Sequence, residues 1–106
     1  MKRNSWIIIA TVLVILLVPL IDFDGDQLST YSEILTHSTN AFNSDSDYDQ
    51  LTDGAELLRY NTNPKTSDTD SDGLSDGEEV LQYITNPLVS DSDSDGLSDG
   101  EEVNNY

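Results

Sequence analysis

The chain opens on a block of apolar positions and then changes character. From Trp6 to Ile21 the run is hydrophobic throughout, with only Thr11 mildly polar, and Lys2 and Arg3 precede it. That order, charge then apolar run, is the pattern of a secretory signal or signal anchor. No small-residue cleavage pattern follows: the sequence reads Val18, Pro19, Leu20, Ile21, Asp22. A retained segment is therefore expected, a single N-terminal hydrophobic helix over residues 1–21. Sixteen apolar residues at ~1.5 Å each span roughly 24 Å, extended toward a bilayer's ~30 Å by Asn4, Ser5 and snorkelling Lys2 and Arg3. The positive-inside rule puts Lys2 and Arg3 in the cytoplasm and the rest of the chain outside, in the membrane-anchored state or, after cleavage, secreted.

Beyond Ile21 apolar residues are sparse and recur with a fixed beat. Acidic triplets begin at Asp22, Asp45, Asp68 and Asp91, each 23 residues after the last, dividing the chain into repeats 22–44, 45–67, 68–90 and 91–106. Each unit begins with a polar loop and continues into a short apolar-containing stretch, such as Val80-Leu81-Gln82-Tyr83. That stretch predicts a helix of about two turns, stopped by Thr85-Asn86-Pro87 as Thr62-Asn63-Pro64 stops the preceding one. Ser75 with Glu78, or Asp76 with Glu79, is placed to cap the helix start. Leu74, Val80, Leu81 and Tyr83 are the expected contact between neighbouring repeats. The fold class is a small α, loop-rich array of four loop-plus-short-helix units.

Charge sharpens this picture. All 21 carboxylates of the 106-residue chain lie at or beyond Asp22, opposed there only by Arg59 and Lys65, a formal charge of −19. A nucleic-acid partner is excluded, because a phosphate backbone requires Lys and Arg. Self-repulsion of this size destabilises a compact state unless cations neutralise it, and about 85 residues with so few apolar side chains supply little core. The chain has no Cys, so neither disulfides nor thiolates assist.

The spacing of the carboxylates identifies the cation chemistry. A hard cation such as Ca²⁺ takes six to eight oxygens, which a 12-residue EF-hand loop supplies from positions one, three, five, seven, nine and twelve, with glycine at six. Repeat three provides Asp68, Asp70, Asp72, the Leu74 carbonyl, Asp76 and Glu79; repeat four provides Asp91, Asp93, Asp95, Leu97, Asp99 and Glu102. Repeat two has Asp45, Asp47, Asp49, Leu51, Asp53 and Glu56, with Gln50 at the glycine position. Repeat one has Asp22, Asp24, Asp26, Leu28 and Glu33, with Gln27 at position six and Thr30 at nine. Up to four calcium ions are expected, binding most tightly in repeats three and four and least in repeat one.

Other readings account for less. A solvated acidic linker does not explain why Glu33, Glu56, Glu79 and Glu102 each fall eleven residues after the first aspartate. Asp22-Phe23-Asp24-Gly25 after an apolar run has the look of a haloacid dehalogenase nucleophile loop, but it is the first of four repeats and lacks an α/β domain around it. His37, the lone histidine, stands where Tyr60, Tyr83 and Tyr106 stand in the other copies. No residue set supports an enzyme.

A paired EF-hand has a helix before each loop, whereas Asn63-Pro64-Lys65-Thr66-Ser67 forms none, so the units are half-hands. With DSDSDGLSDGEEV loops and Thr-Asn-Pro spacers, residues 45–106 resemble the prokaryotic thrombospondin type 3 repeats, and repeat one resembles them more weakly. The resemblance implies an extracellular, calcium-stiffened structural or spacer module. The alternative is a calcium-shaped subunit docking into a membrane complex or surface filament, with other surface or membrane proteins as partners. Dockerins share the loop-helix plan but use two copies and usually Asp at position twelve, where this chain has Glu.

Overall fold

The computed structural model describes residues 20–105, and the helix expected over residues 1–21 lies outside them apart from Leu20 and Ile21. The chain extends over 75 × 17 × 15 Å with a radius of gyration of 19.6 Å. A compact chain of this length has about 12–13 Å, so the molecule is elongated.

Each repeat folds as its sequence directs. The N–H at loop position nine donates to the carbonyl of the residue just before the loop, Asp53 to Ser44, Asp76 to Ser67 and Asp99 to Ser90, all at 2.8 Å. The polar residue at position eight then caps the helix: Thr52 Oγ1 accepts from Ala55 N, and Ser75 Oγ from Glu78 N. Glu78 returns the bond by accepting from Ser75 N at 2.9 Å, completing the Ser75–Glu78 capping box. In repeat one Ser29 Oγ accepts from Ser32 N. An apolar residue at position eight, as in paired EF-hands, leaves this donor unmet.

We number the helices in order. Helix α1 is Thr30–Ser32 continued by a π-helical stretch Glu33–His37; α2 is Asp53–Ala55 continued by Glu56–Tyr60; α3 is Asp76–Glu78 continued by Glu79–Tyr83; α4 is Asp99–Asn105. The first three stop at a left-handed residue: Ser38 at φ 58°, Asn61 at φ 60° and Ile84 at φ 60°. Asparagine tolerates that conformation, but a β-branched residue is strained in it. Replacing the exposed Ile84 by Gly is therefore expected to stabilise the calcium-loaded protein by about 1 kcal/mol, read as a higher denaturation midpoint. An unchanged or lower midpoint contradicts the assignment of strain.

The hydrophobic core is small. Leu28, Leu51 and Leu74 at position seven are 6%, 4% and 4% exposed, and Ala41 is 3% exposed. Pro64 and Pro87, at the repeat position of Ala41, are buried as well. The expected contact surface needs correction at Leu81, which is 59% exposed, while Val80 and Tyr83 are half-buried. The helices are too short to bring a whole apolar face round to the next unit. In repeat one Phe23 and Phe42 stack at 5.5 Å, with an interplanar angle of 23°.

Candidate metal centre

Loop geometry gathers the carboxylates. Asp22 accepts from Gly25 N and Gln27 N at 2.7 and 3.0 Å, and Asp45 accepts from Tyr48, Asp49 and Gln50 N–H groups. Asp68 and Asp91 repeat this on Gly73 N and Gly96 N. Position five reaches forward: Asp26, Asp49, Asp72 and Asp95 accept from the N–H of Leu28, Leu51, Leu74 and Leu97 at 2.7–2.9 Å. The carboxylates at positions one, three and five thereby converge, with ligand oxygens within 4.8 Å of one another in Asp22-Asp24-Asp26, Asp45-Asp47-Asp49 and Asp68-Asp70-Asp72. In repeat four Asp95 N bonds to both Asp91 and Asp93.

Position twelve stays with position five of its own loop, while the position-nine aspartate reaches the repeat before it. Asp53 stands with Asp26 and Glu33 of the preceding repeat, and Asp76 with Asp49 and Glu56, again within 4.8 Å. Each position-nine aspartate also braces its own loop at position two. Ser46 N and Oγ donate to Asp53 at 2.8 and 2.5 Å, Thr69 N and Oγ1 to Asp76, and Ser92 N and Oγ to Asp99. So a second carboxylate group forms at the junction between repeats, from positions five and twelve of one and nine of the next.

Glycine at position ten makes that approach possible. The N–H groups of Gly54, Gly77 and Gly100 donate to the second carboxylate oxygen of Asp26, Asp49 and Asp72, at 2.9, 3.2 and 3.0 Å. A Cβ there would stand 1.8 Å from the Asp26 carbonyl oxygen at Gly54, 1.8 Å from that of Asp49 at Gly77, and 2.2 Å from that of Asp72 at Gly100. Sequence reading assigned these glycines no role.

The position-twelve glutamates are the chemical centre. Glu33, Glu56 and Glu79 are fully buried, yet in each Oε2 has no hydrogen-bond partner. Oε1 is held by the threonine of the spacer, Thr62 to Glu56 and Thr85 to Glu79 at 3.0 Å, and Thr39 more loosely to Glu33. Thr-Asn-Pro is thus a ligand-orienting motif as well as a helix stop. Both carboxylate oxygens of Asp24 and Asp47, and one of Asp70, are similarly buried and unpartnered. Burial, added to the charges of neighbouring aspartates, pushes Glu33 up to about 7 and Glu56 and Glu79 up to about 8. Asp47 and Asp70 rise to about 6 for the same reasons. Buried anionic oxygens without donors are costly unless a cation meets them, so this donor set fits an oxygen-seeking divalent ion.

Backbone strain redistributes the expected ranking of loops. Position six is left-handed throughout, with Gln27 at φ 82° and Gln50 at φ 84° where repeats three and four use glycine. Position four is left-handed too, and there repeat one has Gly25 while the others have Tyr48, Ser71 and Ser94. Repeat two alone carries two such non-glycine residues. In repeat one, where position nine is Thr30, it is Asp53 of the next repeat that places a carboxylate beside Glu33. Gln50→Gly is expected to tighten calcium binding by repeat two about fivefold, for about 1 kcal/mol of relieved strain. Calorimetric titration of the whole chain checks it, and an unchanged isotherm counts against the strain argument.

These features define a class: a linear array of acidic loop-helix units, each completed by its neighbour. The family described as Bacterial TSP3 repeat matches residues 68–90 and 91–105, which are the third and fourth repeats. No curated protein sequence matches the chain. Among solved structures, "Biofilm associated protein - B domain" is 44% identical over 42% of this chain with a TM-score of 0.42. "Biofilm associated protein - BSP domain" is 43% identical over 42% with a TM-score of 0.41. The match spans 11% and 8% of those two chains.

Proposed function

We propose that the chain is a calcium-stiffened spacer, a binding and structural protein rather than an enzyme, held at the outer surface of a cell membrane by residues 4–21. The observation that carries calcium is the unpartnered Oε2 of the fully buried Glu33, Glu56 and Glu79, each facing aspartates. Each loop holds one ion through positions one, three and five, and each junction holds another between Asp26, Glu33 and Asp53 or their counterparts. Ions beyond the four of the loop reading follow from this arrangement. Stiffness follows as well, because an ion whose ligands come from two repeats resists bending between them. Anchoring rests on the apolar run Trp6–Ile21 and its flanking Lys2 and Arg3; among the described residues no helix is long and apolar enough to cross a membrane.

The test is small-angle scattering and calcium titration of the full chain in detergent micelles. The proposal expects more than four ions per chain and a rod that loses its fixed length in chelator. Four or fewer ions, with Asp53→Asn leaving the count unchanged, refutes the junction sites. A length indifferent to chelator refutes the spacer.

A further inference from the structure

Three positions build each junction from the side of the following repeat: Ser or Thr at two, Asp at nine and Gly at ten. Repeats two, three and four have Ser46, Asp53 and Gly54, then Thr69, Asp76 and Gly77, then Ser92, Asp99 and Gly100. Repeat one departs at all three together, with Phe23, Thr30 and Tyr31. The backbone at position ten approaches the preceding repeat so closely that even a Cβ would lie 1.8–2.2 Å from its carbonyl oxygen. Tyr31 puts a whole phenol on that face, and it is 48% exposed. Thr30 has no carboxylate to offer an aspartate and glutamate pair, and its buried hydroxyl bonds to nothing. Phe23 cannot make the hydroxyl bridge of Ser46 and instead stacks on Phe42.

The outgoing face of repeat four keeps the form of the faces that take a repeat elsewhere in the chain. In repeat four Asp95 is exposed and Leu97 is 38% exposed, whereas their counterparts Asp49 and Leu51 in repeat two are 3% and 4% exposed beneath the next unit. Asp95 keeps the local geometry of an acceptor, its Oδ1 taking the Leu97 N–H at 2.9 Å as Asp49 takes that of Leu51.

We propose that the array is closed at the face of repeat one and that each later repeat keeps an outgoing face able to take another. The outer face of repeat one refuses another repeat, whether from the same chain or from a second copy, and the Asp95–Glu102 face of repeat four accepts one carrying Asp-Gly at positions nine and ten. The partner this face fits is a calcium-sharing loop-helix unit, and the chain's own repeat one is not such a unit. Head-to-tail contacts between identical chains otherwise propagate into open fibres, and a blocked face at one end prevents it.

Distance measurements between spin labels test this in the full chain, which has no native Cys to interfere. A copy of residues 45–67 is inserted between Ile21 and Asp22, and cysteines replace Leu35 and the inserted counterpart of Leu58, both exposed. The native pair Leu58 and Leu81 reports folding, and gives a narrow distribution in calcium. Across the new junction the distribution is expected to be several-fold broader. Thr30→Asp with Tyr31→Gly is expected to narrow it to the native width, and adding Phe23→Ser supplies the complete set if the pair alone folds poorly. Thr30→Asp with Tyr31→Ala is expected to stay broad, because a single Cβ suffices to block. In a second chain a copy of residues 84–106 is appended after Tyr106, with labels at Asn104 and its counterpart. There a narrow distribution is expected with no other change. A narrow distribution across the unmodified Tyr31 face, a broad one after glycine and aspartate are restored, or a broad one at the appended repeat overturns the proposal.

Discussion

In chelator, the repeats are expected to unfold at pH 8 and to regain helix on acidification to pH 5, the reverse of their behaviour in calcium. Without cations the fold forces carboxylates together, and burial with like-charge neighbours raises Glu56 and Glu79 to about 8 from an ordinary 4.5. Glu33 rises to about 7, and Asp47 and Asp70 to about 6. A folded-state pKa above the unfolded one means that the folded chain binds more protons, so metal-free stability is fullest below about pH 4.5 and is lost as pH rises through 8. Calcium inverts the dependence, since its ligands must be ionised and protons compete for them between pH 8 and 6. Far-UV circular dichroism of the full chain across this range, with calcium and with chelator, gives two curves of opposite slope. A metal-free helix signal that grows with pH contradicts the buried-glutamate account.

Gly77→Ala is expected to be as damaging as a single methyl group can be in this chain, matched by Gly54→Ala, whose Cβ meets the Asp26 carbonyl at the same distances. At Gly77 the Cβ meets the Asp49 carbonyl oxygen at 1.8 Å and the carbonyl carbon at 2.8 Å, both backbone atoms that cannot rotate away. Repeats two and three must separate, breaking the Gly77 N–Asp49 bond and drawing Asp76 from Asp49 and Glu56. Overpacking of this kind costs about 1–3 kcal/mol, and loss of a shared ion adds to it, so calcium binding at that junction is expected to weaken at least tenfold. Gly73→Ala is the matched control, for its Cβ meets nothing within 4 Å and the change meets only the strain of φ 101°, about 1 kcal/mol. If the two variants bind calcium alike and unfold together, close approach at position ten is not what joins the repeats.

Much of this was legible in the residues. The 23-residue beat, the short capped helices and the convergence of positions one, three and five all follow from local rules, and local rules survive without knowledge of neighbours. The destination of position nine was not legible. In a strict repeat, a contact from Asp53 back to Asp26 recurs with the same period as one within the loop, so the pattern cannot separate them. The clue lay in the exception, where Thr30 and Tyr31 change together with Phe23 in the copy that has no predecessor. Leu81 misled for a related reason: helical spacing marks an apolar face, but a two-turn helix standing beside a narrow rod leaves much of that face in water.

Because repeats touch their neighbours through one Asp-Gly corner and one group of shared carboxylates, load applied along the axis passes through the junctions in series. Every junction then carries the full tension, and the first to yield sets the extension of the whole. On the proposed reading as a calcium-stiffened spacer, calcium concentration would then be a mechanical setting: at saturation the rod would transmit force at fixed length, and as ions left, single joints would let go while intact ones held.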